Sequence, residues 1–389
     1  MVGCGESPPP SPLTTPAKPL GIHQGPALTK EECEQWAAAL QQAVQTGDVQ
    51  GANRLIDWQI ILDQATAEVP CDEEVRRGFQ SGVLESVGGK DGLAADMAGL
   101  VEDGGQYQKL SIHLQQSMPR VLFRVLLPNG AGVNYHEFSL ARRGDGQVRG
   151  VEIDVFLSGE TMSRSLRRFY IPVVVDAQPQ TLESLQGWEH ELARNREKIA
   201  KLRQAVDDRR PLAAQQTYQD LSPGMKADVG VLLLRLQAAQ QLSDANFTAA
   251  LDEARQHQPN KACWDMLGLE VQLADQQYAA ALQGVARVAQ TVGPDAHLET
   301  VTANIHLSAG QLAEAQAAAE AAIRQEPTLE APYWVLLTIS LRQKNYPLTV
   351  RCLTMLEKKF TIDFTDLFPL AEYADFLRSP EFRQWRSVP

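Results

Sequence analysis

Asn246-Phe247-x-x-Ala250, Gln277-Tyr278-x-x-Ala281, Gln311-Leu312-x-x-Ala315 and Asn345-Tyr346-x-x-Thr349 follow one another between Val229 and Thr361. In each, a short turn gives way to a large residue, and a small residue stands three positions on. The large residues are 31, 34 and 34 positions apart. Such self-similarity predicts repeated pairs of amphipathic helices. One pair cannot bury its own apolar faces, so neighbours must stack into a continuous core. Gly268, Ala281, Ala303 and Ala315 fall where helices are expected to cross, and their small size lets two backbones approach. The large residue three positions earlier fills the space beside the crossing. An antiparallel bundle is amphipathic too, but nothing in it would keep a 34-residue register.

With Trp264-x-x-Leu267-Gly268 ahead of the second match and Pro327 closing the third unit, the stretch resembles the tetratricopeptide repeat (TPR). The resemblance covers about the last 160 residues and implies an all-α solenoid that binds a protein or peptide partner in a concave groove. Transferred onto this chain, it turns Asp265, Gln272, Thr300, Asn304, Trp334, Thr338 and Arg342 toward that groove. One alternative for Trp334 and Arg342 is packing against the next helix. Some TPRs clamp a peptide's terminal carboxylate with regularly placed Lys and Asn. Here Asn304 and Arg342 alone are suited to that role, a departure from the pattern.

Across 389 residues the formal charge is −12, the wrong sign for a nucleic-acid footprint. No apolar run reaches the 18 or more residues of a membrane span. The five cysteines, Cys4, Cys33, Cys71, Cys263 and Cys352, are far apart and show neither zinc-ligand nor disulfide spacing. Cys263 and Cys352 sit in apolar helical patterns and read as small core residues. No metal or cofactor is implied.

Residues 1–28 read as a Pro/Ser-rich tether, with seven prolines between Pro8 and Pro26. Met1-Val-Gly-Cys4 resembles the end of a bacterial lipoprotein signal without its basic and apolar regions. If translation starts upstream, Cys4 carries lipid and the protein belongs to the cell envelope. If Met1 is the start, Cys4 is incidental and the protein is cytoplasmic.

Residues 29–176 read as an α+β domain. Thr29-Lys-Glu-Glu32 is a capping box, followed by a helix with Trp36, Leu40 and Val44 inward. A second helix is expected from about Ala52, with Leu55, Ile56, Ile60 and Ile61 inward, and others near Val75–Val87 and Leu93–Val101. After Gly105 the period changes to two. Strands are expected at Tyr107–Leu114, Val121–Leu127, Val133–Arg142, Val148–Leu157 and Arg167–Val175. Asp145-Gly146 predicts a type I′ hairpin turn, pairing Phe138 with Ile153, Leu140 with Val151, and Glu137 with Asp154. Helices followed by a long antiparallel meander resemble the nuclear-transport-factor-2-like (cystatin-like) roll. That family implies a curved sheet wrapped on helices around a pocket, here with Tyr135, Glu137 and Asp154 as lining residues.

Two facing carboxylates can share a proton and do acid–base work, with His113 and His136 as candidate helpers. Against this, the register puts His136 on the apolar face with Phe138, and acids on a solvated sheet face are commonplace. The expectation is no enzyme, with a small-molecule-binding or enzymatic pocket in this domain as the alternative.

Residues 177–226 form a helical connector. Leu185, Leu192, Ile199 and Val206, with Trp188, Asn195 and Leu202 between them, make three heptads of seam. The seam either packs within the chain or joins copies into a homo-oligomer through 185–206. Residues 227–389 carry the TPR-like repeats and an aromatic C-terminal cap containing Phe364, Phe368, Tyr373, Phe376, Phe382 and Trp385, with Ser379-Pro380-Glu381 as a helix start. The whole reads as an α+β roll followed by an all-α TPR-like solenoid, acting as a non-catalytic interaction scaffold.

Overall fold

The structure, a computed structural model, describes residues 27–89, 92–114, 118–130, 132–364 and 370–387. Cys4 and Phe368 lie outside them. The protein is α+β, with a five-stranded antiparallel sheet between helical segments. It divides into two compact units. The first comprises residues 27–132, 136–155 and 160–194; the second comprises 133–135, 156–159 and 195–387.

In the first unit, α1 (Lys30–Gln45) starts at the capping box: Thr29 N donates to Glu32 Oε2 at 2.9 Å and Glu32 N to Thr29 Oγ1 at 3.2 Å. Helix α2 (Val49–Arg54) and α3 (Trp58–Thr66) replace the single helix expected from Ala52. The break has a tertiary cause. Residues 55–57 lie against the strand that contains Gly150, with Gly150 N donating to Leu55 O at 2.9 Å and Asp57 N to Gly150 O at 2.8 Å. Asp57 then caps α3 through Ile60 N at 3.1 Å. Helices α4 (Glu73–Gly88) and α5 (Leu93–Glu102) follow, and α4 buries none of its residues.

Strands β1 (Gln106–His113), β2 (Arg120–Leu126), β3 (Val133–Arg142), β4 (Val148–Val155) and β5 (Glu160–Thr161) pair in sequence order. On one face Tyr107, Phe123, Phe138, Leu140 and Ile153 pack with Trp36 and Leu40 of α1. Gly150 is where the indole reaches the strand, since a Cβ there would meet Phe138 Cδ1 at 3.0 Å and Trp36 Cζ2 at 3.2 Å. The turn differs from the expected type I′. Gly146 N donates to Arg143 O at 2.9 Å, and Gly146 alone in the turn has positive φ, at 83°. This is a three-residue loop ending in a left-handed glycine. Near the turn Arg142 therefore opposes Val148 and Leu140 opposes Gly150. A bulge at Val151 restores the expected pairing of Phe138 with Ile153 and Glu137 with Asp154. It also turns Val151 to the other face, with Ile60 and Ala141.

The strand expected at Arg167–Val175 is helix α6 (Met162–Ala177). Its β-branched run suits a strand by propensity, but Ile171, Val174 and Val175 are buried at helical spacing. Thr161 caps it by accepting from Arg164 N at 3.3 Å. Helix α7 (Gly187–Asp207) carries the heptad seam; Leu185, Leu192, Asn195, Ile199, Leu202 and Val206 are all buried. That burial favours packing within the chain, the first of the two readings of the seam, over a contact between copies.

The second unit continues with α8 (Pro211–Gln219), α9 (Pro223–Lys226), α10 (Val229–Gln240), α11 (Asp244–His257), α12 (Cys263–Leu267), α13 (Leu269–Ala274) and α14 (Tyr278–Val292). After these come α15 (Ala296–Ser308), α16 (Leu312–Gln325), α17 (Ala331–Arg342), α18 (Tyr346–Phe360), α19 (Ala374–Leu377) and α20 (Pro380–Arg386). Tyr278, Leu312 and Tyr346 are the first residues of α14, α16 and α18, so their sequence spacing is the spacing of helix starts. Ala281, Ala303 and Ala315 are fully buried. At Gly268 a Cβ would stand 2.4 Å from Leu251 Cδ2, a close approach that needs glycine. Phe364, Tyr373 and Phe376 are buried in one cluster with Tyr333, Leu337 and Leu353, which covers the end of the helical stack. No helix among the described residues is long and apolar enough to cross a membrane.

Candidate functional site

Helices α15 and α17 are neighbours, and the residues expected on their outer row are part buried and part open. Asn304 and Arg342 are exposed, and Trp334 and Thr338 are half-buried. Trp334, Thr338 and Arg342 are four residues apart, so they form one stripe along α17. Within it Trp334 Nε1 donates to Glu330 Oε1 at 2.6 Å, and its ring lies 5.9 Å from that of Phe364. Thr338 Oγ1 donates to Trp334 O at 3.0 Å. Both side chains are thus tied to their own helix, whereas Arg342 makes no ion pair among the described residues.

Three residues expected in the row are buried instead. Asp265 is held by Arg287, whose Nε and Nη2 donate at 2.9 and 2.7 Å, with Arg255 at 3.8 Å. This clamp satisfies a carboxylate that is only 7% exposed. Thr300 donates to Ala296 O at 2.8 Å inside α15, and Gln272 is buried on α13. Their types suited a groove, but all three are buried. Cys263 and Cys352 are buried as expected, and desolvation pushes both thiols up to about 12.

On the sheet, Glu137 is ion-paired with Arg120 at 2.8 Å, so the facing pair with Asp154 is not two bare carboxylates. The Tyr135 hydroxyl donates to Asp295 Oδ2 at 2.8 Å, within the second unit. Glu137 and Tyr135, expected to line a common pocket with Asp154, are thus each engaged by a partner of their own. His136 lies in the core beside Tyr107, ring centroids 5.9 Å apart, and burial lowers it to about 4. His113 is exposed, and its Nε2 is 2.9 Å from Ser111 Oγ.

A cavity of about 310 Å³ opens elsewhere on the first unit, lined by Ile56, Asp57, Trp58, Gln59, Leu84, Arg143, Asp145 and Arg149. Its walls are fixed. Trp58 Nε1 donates to Asn53 Oδ1 at 3.0 Å, and Asn53 Nδ2 donates to Val87 O of α4 at 2.9 Å. The Asp57 side chain is 5% exposed and lies 2.7 Å from Arg143 Nε, a Coulombic contact without hydrogen-bond alignment. Arg149 pairs with Asp145 at 3.2 Å and donates to Arg54 O. No local pattern signals this site, because its lining comes from a helix junction, a separate helix and a hairpin turn.

Compared with models of known protein families and with characterised proteins, the chain matches none.

Proposed function

We propose that residues 227–389 form a short TPR-like solenoid and that the protein is a non-catalytic scaffold. A partner protein or peptide lies along a groove bordered by α15 and α17. The single observation that carries this reading is Arg342: exposed, without an ion pair among the described residues, on the helix beside the one that bears exposed Asn304. A guanidinium fork suits a carboxylate of the partner, and an amide such as that of Asn304 pairs with an extended peptide backbone. The regular helix starts at Tyr278, Leu312 and Tyr346 support the repeat reading. The first unit fits a roll of the nuclear-transport-factor-2-like kind, with helices ahead of an antiparallel meander.

The test is a titration of a partner recovered by pull-down with the whole chain. Arg342→Ala weakens binding by about 1–3 kcal/mol, the range of an interface hot spot, with the melting temperature unchanged. Glu137→Gln leaves affinity as it was. Loss of affinity in the Glu137 variant with none in the Arg342 variant moves the site to the sheet and ends the groove reading.

A further inference from the structure

The cavity at the α2–α3 junction has a composition with a chemical consequence. Its lining carries two arginines and two aspartates, which form two ion pairs, Arg143 with Asp57 and Arg149 with Asp145. Both Asp145 oxygens accept, Oδ1 from Gln147 N at 2.9 Å and Oδ2 from Arg149 at 3.2 Å. Asp57 Oδ1 caps α3 and its Oδ2 faces Arg143. Arg149 is occupied by Asp145 and by Arg54 O. Arg143 differs: it meets Asp57 through Nε, and neither Nη has a partner among the described residues. A buried carboxylate thus holds the guanidinium by charge at Nε and leaves its two outer nitrogens side by side.

Part of the wall around this fork is apolar. Ile56 and Trp58 present edges of otherwise buried side chains, and Leu84 stays 38% exposed at the rim. Pockets that bind small molecules have this mix of apolar wall and few polar anchors, and about 310 Å³ is at the small end of their range. The geometry points to a binding site for a small amphipathic monocarboxylate, its planar head on the Arg143 fork and its apolar body against Ile56, Trp58 and Leu84. Paired terminal nitrogens match the two oxygens of a carboxylate. A second negative charge on the ligand would stand near Asp57 and Asp145, which selects a monoanion. A cationic ligand finds no unpaired acid, because Asp57 is ion-paired with Arg143 and Asp145 with Arg149. This inference is independent of the groove on the second unit.

The experiment titrates the full-length protein with phenylacetate and with its neutral analogue phenylacetamide, followed by calorimetry and by the chemical shifts of the Trp indole protons. Phenylacetate saturates a single site, and phenylacetamide binds at least about tenfold more weakly, the loss expected when a charge-assisted bidentate pair is removed. Arg143→Gln weakens phenylacetate by about tenfold or more. Removing Arg143 also leaves Asp57 buried and unpaired, so Leu84→Glu serves as a second variant that leaves the buried pair alone. Its added charge at the rim weakens phenylacetate by about tenfold and phenylacetamide less. Absence of saturation at millimolar ligand, equal binding of acid and amide, or full affinity in Leu84→Glu would each overturn the assignment.

Discussion

His136 shows how one side chain couples the fold to pH. It is 5% exposed, and desolvation lowers it from 6.5 to about 4. Between those values the unfolded chain binds the proton and the folded chain does not. Stability is therefore fully present above pH 6.5 and falls as pH drops toward 4, by about 3 kcal/mol from this group. Urea unfolding at pH 7 and pH 5 measures it, and His136→Leu should flatten the difference between them. An unaltered pH slope in that variant would show that the histidine is hydrated. At this same scale the sequence was uneven. It put His136 on the apolar face and Cys263 and Cys352 in the core, since each stands in an apolar pattern. It left no sign that Asp265, Thr300 and Gln272 are buried or that Arg124 is fully enclosed, because which polar side chain is covered depends on how distant segments pack over it.

At the scale of elements, the caps decide where helices start. Ser379 accepts from Phe382 N at 3.1 Å ahead of α20, as Ser-Pro-Glu implied. Replacing it with Ala should cost about 1 kcal/mol, seen as a lower midpoint in chemical denaturation. Crossings matter as much as caps. Ala315 of α16 is fully buried in one cluster with Ala303 of α15 and Leu336 of α17. Ala315→Leu should overpack that crossing at about 1–3 kcal/mol, and an unchanged melting curve would mean that the helices do not meet there. Helix α6 marks the limit of local reading. Its Ile-Pro-Val-Val-Val run favours a strand, yet Arg167 Nη1 donates to Ala65 O and Ala67 O at 3.0 and 2.7 Å, and Arg168 pairs with Glu160 at 2.5 Å. Those bonds, and the burial of Ile171 and Val174, outweigh propensities worth tenths of a kcal/mol per residue.

For the whole molecule, two compact units carry two different candidate sites. Arg143 and Arg342 share no partner among the described residues and belong to different units. Changing both should therefore add the effects of changing each, within about 0.5 kcal/mol. Phenylacetate affinity is expected to track Arg143 alone, and partner affinity Arg342 alone. A double variant that departs from this sum would show that the units are energetically coupled.

By itself the sequence determined the order of helices and strands in most of the chain, the 34-residue spacing of helix starts, the capping box at Thr29 and the pairing of Phe138 with Ile153. These follow from periodicity and short-range hydrogen bonds, which neighbouring residues dictate. The tertiary structure alone decided the rest. It broke the helix at Leu55–Asp57 against Gly150, bulged β4 at Val151, folded 162–177 as a helix and brought Asp57 to Arg143. Each of these depends on groups tens of residues apart, whose contact energies local pattern does not contain.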